Sequence, residues 1–524
     1  MSSGIIFVFY ISKNTLTHII TIRRTTTIAR KKRRTVTDII GNEFEQWKQG
    51  ETITIEAGTG VGKSYFIKNT LYEKAKREGT KILFLLNRTR LSEQFQREIE
   101  QDNKTDVIKI LLYQNVEDVV RKRNVVISNE YQYIVSDEFH YFLTESKFNN
   151  NTEDSFNLII SESEKTRIFM SATSDGAIEY FRFKGIKHRS YNVPHDYSHI
   201  KELIFYRNDK VLEKFLHTIP KNQKAVCFSK SAKKAFTLHN IFKDSLFVCS
   251  ASGTSREKKY LDKEKISQML LKERFEEKFL FTTSTLDNGV NLKDKQIKYV
   301  IVDIEDIDIL IQCLGRKRIA DNSDKVTVII KNISDKMINK KLEDCERIID
   351  PAKYLMDNGS LEYVKKYRKY SSPVIYDTVT VDNDKVEKVI NELRYFKESY
   401  DKKFYEDILQ EENGYMKHLQ TKLQQNSYTI LDDTYEKATL SDYLDSIVGK
   451  QLYKEEQEEL IKKVNIRDSR NRLQRGCRII NEYFIENNFP YSVKDKMKNN
   501  KRKLDNNEPN PNYTKTYWSL AKHN

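Results

Sequence analysis

Eight consecutive residues, Ala57-Gly58-Thr59-Gly60-Val61-Gly62-Lys63-Ser64, have the types and spacing to hold a polyphosphate. Three glycines let the backbone turn its N–H groups inward on the phosphates, and a helix that follows adds positive potential at its N-terminus. In such a loop Lys63 reaches the β- and γ-phosphates and the Ser64 hydroxyl ligates Mg2+. Ala57 stands where the general pattern has glycine. A glycine-rich connector that binds nothing would not need the strand-like Thr52–Glu56 before it and the helical Tyr65–Arg77 after it.

A second group follows some seventy residues on. The apolar run Gln132–Ser136 leads into Asp137-Glu138-Phe139-His140. An acidic pair at the end of a buried strand suits nucleotide hydrolysis: Asp137 to hold the metal, directly or through water, and Glu138 to accept a proton from the attacking water. Acidic pairs at strand ends are common, so this one gains its meaning from the phosphate loop upstream. His140 reads either as a surface histidine or as a coupling residue.

These groups need a scaffold that brings strand ends together. From about Phe44 to Lys331 short apolar runs alternate with helical patterns, the signature of βαβ units and parallel sheets. Six runs lie between Thr52 and Met170 and six between Glu202 and Ile330, too many for one sheet. We therefore expect an α/β chain of two tandem P-loop-type domains with parallel sheets, divided near Val193-Pro194-His195-Asp196, and then a mainly α-helical C-terminal region. The expected divisions are a basic arm at 1–40, a first domain at 41–193, a second at 194–332, an accessory region at 333–490 and a disordered tail at 491–524. A short β element is expected around Val374–Val381. Leu473, Cys477, Ile480 and Phe484 predict one apolar helix stripe, with Arg467, Arg472, Arg475 and Arg478 on the other side.

Charge points to the partner. The chain has 91 Lys and Arg against 76 Asp and Glu, a net +15. Residues 1–40 carry eight basic residues against Asp38, and 465–524 carry thirteen against six, so +14 of the +15 sits at the two ends. Basic ends on a neutral body suit a polyanion, above all nucleic acid, unless they are solvated tails. No run of eighteen apolar residues predicts a spanning helix, and the apolar stretch near the start precedes its basic residues, unlike a signal peptide. Five scattered cysteines without a C-x-x-C pattern fit free thiols in a reducing cytoplasm.

Taken in order, these motifs resemble those of the superfamily 2 helicases of DExH type (DEAD/DEAH box) from about residue 47 to 318. Ala57–Ser64 resembles motif I, Asn87-Arg88-Thr89-Arg90-Leu91 motif Ia, Asp137–His140 motif II and Ser171-Ala172-Thr173 motif III. In the second domain Val226–Ser229 looks like motif IV, Thr282–Val290 like motif V and Gln312–Arg318 like motif VI. The resemblance implies two RecA-like domains with ATP in the cleft, Mg2+, and a single strand of DNA or RNA held across both by its backbone. It places Asp287, Gly289, Gln312, Arg316 and Arg318 on the second domain's face of the ATP site. Asn87, Arg88, Thr89, Thr283 and Ser284 are placed on the phosphodiester backbone. His140, Ser171 and Thr173 are expected to couple the two sites.

One spacing departs from the family. The usual Q-x-x-G-R-x-x-R has its second arginine one residue later than Arg318. On a continuing helix Arg316 shares the face of Gln312 while Arg318 points away; if the chain leaves the helix after Arg316, Arg318 can still turn into the cleft. Some viral and phage members share the shortened form, which suggests a phage or mobile-element replication helicase, with a replication or loading protein as a further partner. No clear adenine-reading glutamine motif precedes the loop; Phe44, Gln46 and Trp47 lie near it. The reading favoured is an ATP-dependent helicase or translocase, on DNA before RNA. A nucleic-acid-stimulated switch that does not separate strands is the alternative, and a scaffold with a degenerate motor stands behind it.

Overall fold

A parallel sheet must bury both faces, and the strands here are nearly continuous runs of Val, Ile, Leu and Phe, as that burial requires. In the computed structural model, residues 34–523 are described except 88, 122–126, 251–253, 287–289, 369, 371, 381–384 and 468–471. The first sheet contains β1 (Thr52–Ala57), β2 (Lys81–Leu86), β3 (Ile108–Leu112), β4 (Tyr131–Asp137), β5 (Thr166–Ser171) and β6 (Arg189–Val193), in the order β3-β2-β4-β5-β1-β6. Every pairing in it is parallel. β6 was not among the expected strands; Arg189-Ser190-Tyr191-Asn192-Val193 is polar at alternate positions because it is an edge strand with one open face.

The second sheet contains β7 (Ile200–Tyr206), β8 (Lys224–Ser229), β9 (Ser245–Val248), β10 (Phe279–Thr282), β11 (Ile297–Asp303) and β12 (Val326–Lys331). Its order is β15-β7-β12-β11-β8-β10-β9, where β15 (Thr429–Ile430) is added at one edge by the accessory region. These are the two tandem RecA-like domains that the motifs imply. The chain passes from the first sheet to the second between Val193 and Ile200. Of the expected basic arm, residues 1–33 lie outside the described residues. Val36–Ile40 is a helix of the first domain, with Val36 and Ile40 in its core, because Thr35 and Asp38 form a capping box that starts it.

The accessory region is largely helical and holds the hairpin β13 (Ile375–Thr380) and β14 (Lys385–Ile390) near the expected place. Its helix Glu392–Leu409 spans the two domains: Leu393 belongs to a core cluster of the first and Ile408 to a core cluster of the second. The tail expectation is corrected. β17 (Tyr491–Lys498) and β18 (Thr516–Lys522) pair antiparallel, with β16 (Gln451–Leu452) on the far side of β18. Tyr491, Val493 and Leu520 are buried, so the polar composition of 494–515 concealed a strand pair with apolar anchors at its base. The arginine-faced helix is also shorter than predicted: it runs Cys477–Glu486, and Leu473 forms an isolated bridge with Arg467 before it begins. Among the described residues no helix is long and apolar enough to cross a membrane. None of the five cysteines forms a disulfide, and all five are buried.

Candidate nucleotide site at the domain interface

β1 delivers the phosphate loop to the C-terminal edge of the first sheet. Gly60 has φ +78°, a conformation that favours glycine, and a Cβ there would lie 2.8 Å from Nη1 of Arg318 and push that side chain aside. The loop is braced from below, where the Val36 N–H donates to the Val61 carbonyl at 2.9 Å. Lys63 is buried and donates from Nζ to the Ala57 carbonyl at 2.8 Å, while the same ammonium lies 3.9 Å from Oε1 of Glu138. Ser64 follows in the first helical turn and lines the same cavity. Gly58 sits beside the His195 ring, and Thr59 Oγ1 lies 3.5 Å from the Gly315 carbonyl of the second domain.

Asp137 ends β4, and Glu138 follows with φ +49°, a left-handed conformation that turns its carboxylate back toward Lys63. Burial and the adjacent Glu138 charge raise the Asp137 carboxyl to about 7. Burial also pushes Glu138 upward, but Lys63, the His140 ring and Arg316 outweigh it and hold that carboxyl below its ordinary value. The neighbouring carboxyls are thus driven apart, as one site with two tasks requires. Asp137 Oδ1 is buried and has no protein partner, and that acceptor fits a divalent cation held together with Ser64.

The second domain reaches the site through the helix Ile307–Leu314 and the residues after it. Gln312 Nε2 lies 2.8 Å from His140 Nε2, and His140 Nδ1 lies 2.8 Å from Ser171 Oγ. With the Gln312 amide nitrogen donating, the ring proton resides on Nδ1 and is donated to Ser171. Ser171 Oγ in turn lies 3.3 Å from Glu138 Oε2, and accepts from the Thr173 N–H at 3.0 Å. A hydrogen-bonded chain therefore runs from the second domain to the acidic pair of the first.

The shortened arginine spacing also has a structural answer. The helix ends at Leu314, and Lys317 forms a parallel bridge with Leu292, fixed by Leu292 N–H to Arg316 O (2.8 Å) and Arg318 N–H to Leu292 O (3.0 Å). In extended backbone alternate residues share a side. Arg316 and Arg318 consequently both line the cavity with Lys63, Ser64, Asp137 and Glu138, whereas Lys317 is buried away from it on Asp324 at 2.5 Å. Arg318 Nε donates to Asn291 Oδ1 at 2.6 Å. Asn291 was missed in the sequence although it follows the motif V run directly; Gln94, on the helix Thr89–Gln101, also lines the cavity.

The remaining predicted residues are placed as follows. Asn87 directly follows β2 and is buried, and Thr89 opens the next helix; Arg88 lies outside the described residues. Thr283 follows β10 and Ser284 begins a 3-10 turn, while Asp287 and Gly289 are outside the described residues. Phe44 and Trp47 are buried against Phe66, the first edge-on and the second tilted, and so pack the core, whereas Gln46 is exposed.

Comparison with known proteins gives a family for the first domain. Residues 42–180 match the model of the DEAD/DEAH box helicase family. A search of curated protein sequences gives no match. Similar solved structures include Dbp5 of S. cerevisiae bound to RNA and ADP BeF3, at 17% identity and TM-score 0.40 over 57% of this chain and 82% of that one. A DEAD box protein of Methanococcus jannaschii is similar at 15% identity and TM-score 0.35, over 59% and 88%. The helicase Lhr of Mycobacterium smegmatis, bound to ssDNA and AMP-PNP, is similar at 13% and 0.39, over 57% and 46%.

Proposed function

We propose that this chain, whose residues 42–180 form a DEAD/DEAH box helicase domain, is an ATP-driven helicase or translocase that moves along a single strand, DNA before RNA. The observation that carries the reading is the composite cavity: Lys63, Ser64, Asp137 and Glu138 from one domain face Arg316 and Arg318 from the other. Such a cavity is complete only when the cleft is closed, which lets hydrolysis drive opening and closing.

In this mechanism Lys63 binds the β- and γ-phosphates, releasing the Ala57 carbonyl it now contacts. Mg2+, held by Ser64 and Asp137, would supply charge neutralisation on those phosphates. Glu138, kept ionised by its cationic neighbours, orients the attacking water and takes its proton. Arg316 and Arg318 stabilise charge on the transferring phosphoryl group. The chain Gln312–His140–Ser171 reports on Glu138 to the second domain, and Asn87, Arg88, Thr89, Thr283 and Ser284 hold the strand by its backbone. The DNA preference rests on the shortened arginine motif shared with viral and phage replication members. A reducing cytoplasm and a loading partner belong to the same proposal.

Steady-state ATPase activity of the purified chain, alone and with single-stranded DNA, duplex DNA or single-stranded RNA, tests it. Strong stimulation by single-stranded DNA is expected. Turnover that no nucleic acid alters would defeat the motor reading, and stimulated turnover without strand displacement would favour the switch.

A further inference from the structure

Beyond the motor domains the chain builds a second small core. Leu444, Leu460, Ile480, Phe484, Val493 and Leu520 bury one another there. They come from five of six successive elements, helix Leu431–Ile447, β16, helix Lys454–Val464, helix Cys477–Glu486, β17 and β18; the sixth, β16, adds Leu452 to the same core. The sheet order is β16-β18-β17, antiparallel. Helix, short strand, two helices and a two-stranded ribbon in that arrangement form a winged helix-turn-helix. The helix Cys477–Glu486 occupies its second-helix position, and residues 499–515 form the wing.

Topology alone does not assign a role. The charges do more. Arg467, Arg472, Arg475 and Arg478 cluster before and at the start of the second helix, all exposed, and Lys501 and Lys503 are exposed on the wing. Two of these cations sit in solvent-exposed ion pairs, Arg478 with Glu482 at 3.4 Å and Lys501 with Asp505 at 3.1 Å, where a phosphate can replace the carboxylate at little cost. Ile485, on the same helix, is 76% exposed. An apolar side chain on the outer face of such a helix suits the thymine methyl groups of a groove.

The wing is also held in shape without an apolar core of its own. Asn499 and Asn510 are buried within it. Asn499 Nδ2 donates to Gln451 Oε1 (3.1 Å) and Tyr453 Oη (2.7 Å), and Asn510 Nδ2 donates to the Lys501 carbonyl (2.8 Å). Its lysines are therefore presented from an ordered loop, which lowers the ordering cost of contact with a ligand. The whole unit is carried on the second domain by the helix Leu431–Ile447, since Leu431 packs in that domain's core and Leu444 in the unit's own.

From these observations we infer that the unit built by the helices Leu431–Ile447, Lys454–Val464 and Cys477–Glu486 with β16, β17 and β18 is a duplex-DNA-binding module, with the helix Cys477–Glu486 in the major groove and the wing on the adjacent backbone. The inference is independent of the motor reading, because it concerns binding without nucleotide. Duplex DNA fits better than duplex RNA: the B-form major groove admits a helix, and the deep, narrow A-form groove does not. A module fixed to the second domain holds the duplex at a set distance from any strand in the cleft.

Fluorescence anisotropy of the full chain without nucleotide tests this, using a blunt duplex DNA, the same duplex as RNA, and one of its single strands. Wild type should bind duplex DNA more tightly than duplex RNA. Arg475→Ala with Arg478→Ala, and separately Lys501→Ala with Lys503→Ala, should each weaken duplex DNA by about ten-fold and lower the salt slope by ~1–2. Both variants should keep the wild-type affinity for the single strand and the wild-type unfolding midpoint. Duplex affinity and slope unchanged in both variants would overturn the inference, as would equal affinity for duplex RNA and DNA. Loss of single-strand and duplex binding together would also overturn it, since one shared site would then serve both.

Discussion

At the scale of single residues, the site depends on where each charge is held. Glu138 is ionised because Lys63, His140 and Arg316 outweigh its burial. Glu138→Gln keeps the shape and the hydrogen-bonding atoms but cannot take a proton; it should bind nucleotide as wild type does and lose turnover by about 10²–10⁴-fold. Rapid hydrolysis in that variant, read as phosphate release, would assign the base elsewhere. Arg316 and Arg318 line one cavity, so Arg316→Ala and Arg318→Ala should each reduce kcat by about 10³-fold or more while nucleotide still binds. Full turnover in Arg318→Ala would leave Arg316 as the sole cation from that domain. Residue types at this site were legible in the sequence because phosphate chemistry restricts them. The second arginine was not, because its direction depends on the helix ending at Leu314 and on the bridge between Lys317 and Leu292. Asn291 was invisible for the same reason: its role is a contact with Arg318, and spacing alone does not encode it.

At the scale of elements, strands with a continuous apolar run announced themselves in the sequence, and strands without one did not. β6 alternates polar and apolar, and the β17–β18 pair is anchored by few apolar residues in a basic stretch, so both were missed. The attachment of the C-terminal unit is another such feature. Asp432 is buried and accepts from the Arg207 N–H (2.7 Å) and the Asn208 N–H (2.9 Å), tying the helix Leu431–Ile447 to the end of β7. Asp432→Ala removes both acceptors from donors on the exposed residues Arg207 and Asn208, a loss of about 1–2 kcal/mol. The urea midpoint should fall accordingly while basal ATPase activity stays at the wild-type level. An unchanged midpoint would mean that apolar packing alone makes this junction.

At the scale of the whole molecule, the helix Glu392–Leu409 decides how the two motor domains move, because it is packed on both. Its start is fastened to the first domain, where the Glu392 N–H donates to Glu153 at 2.9 Å and Asn391 Nδ2 to the Asn150 carbonyl at 3.0 Å. Midway, buried Asp401 holds Lys147 of the first domain and Lys397 of its own helix, each at 2.7 Å. Burial pushes the Asp401 carboxyl up, but Lys397 and Lys147 outweigh it and lower it below the ordinary value; Lys397, penalised by burial, is raised by Asp401 and its acidic neighbours. A lowered carboxyl contributes stability that is full above its unfolded pKa, ~3.9, and is lost as pH falls through the folded value. A raised ammonium contributes stability that is full below ~10.4 and is lost as pH rises through its folded value. The brace should therefore be intact across neutral pH. Asp401→Ala removes the carboxylate that both ammonium groups share, leaving Lys147 with Glu398 at 3.5 Å and buried Lys397 with its more distant acidic neighbours, a loss of about 1.5–3 kcal/mol. Small-angle scattering at pH 7 without nucleotide should then show a larger radius of gyration than wild type, and acidified wild type should move the same way before it unfolds. Dimensions that stay the same in the variant would mean that the domains are held together at the nucleotide cleft, by Gln312 on His140 and Thr59 on Gly315, and that the helix only follows them.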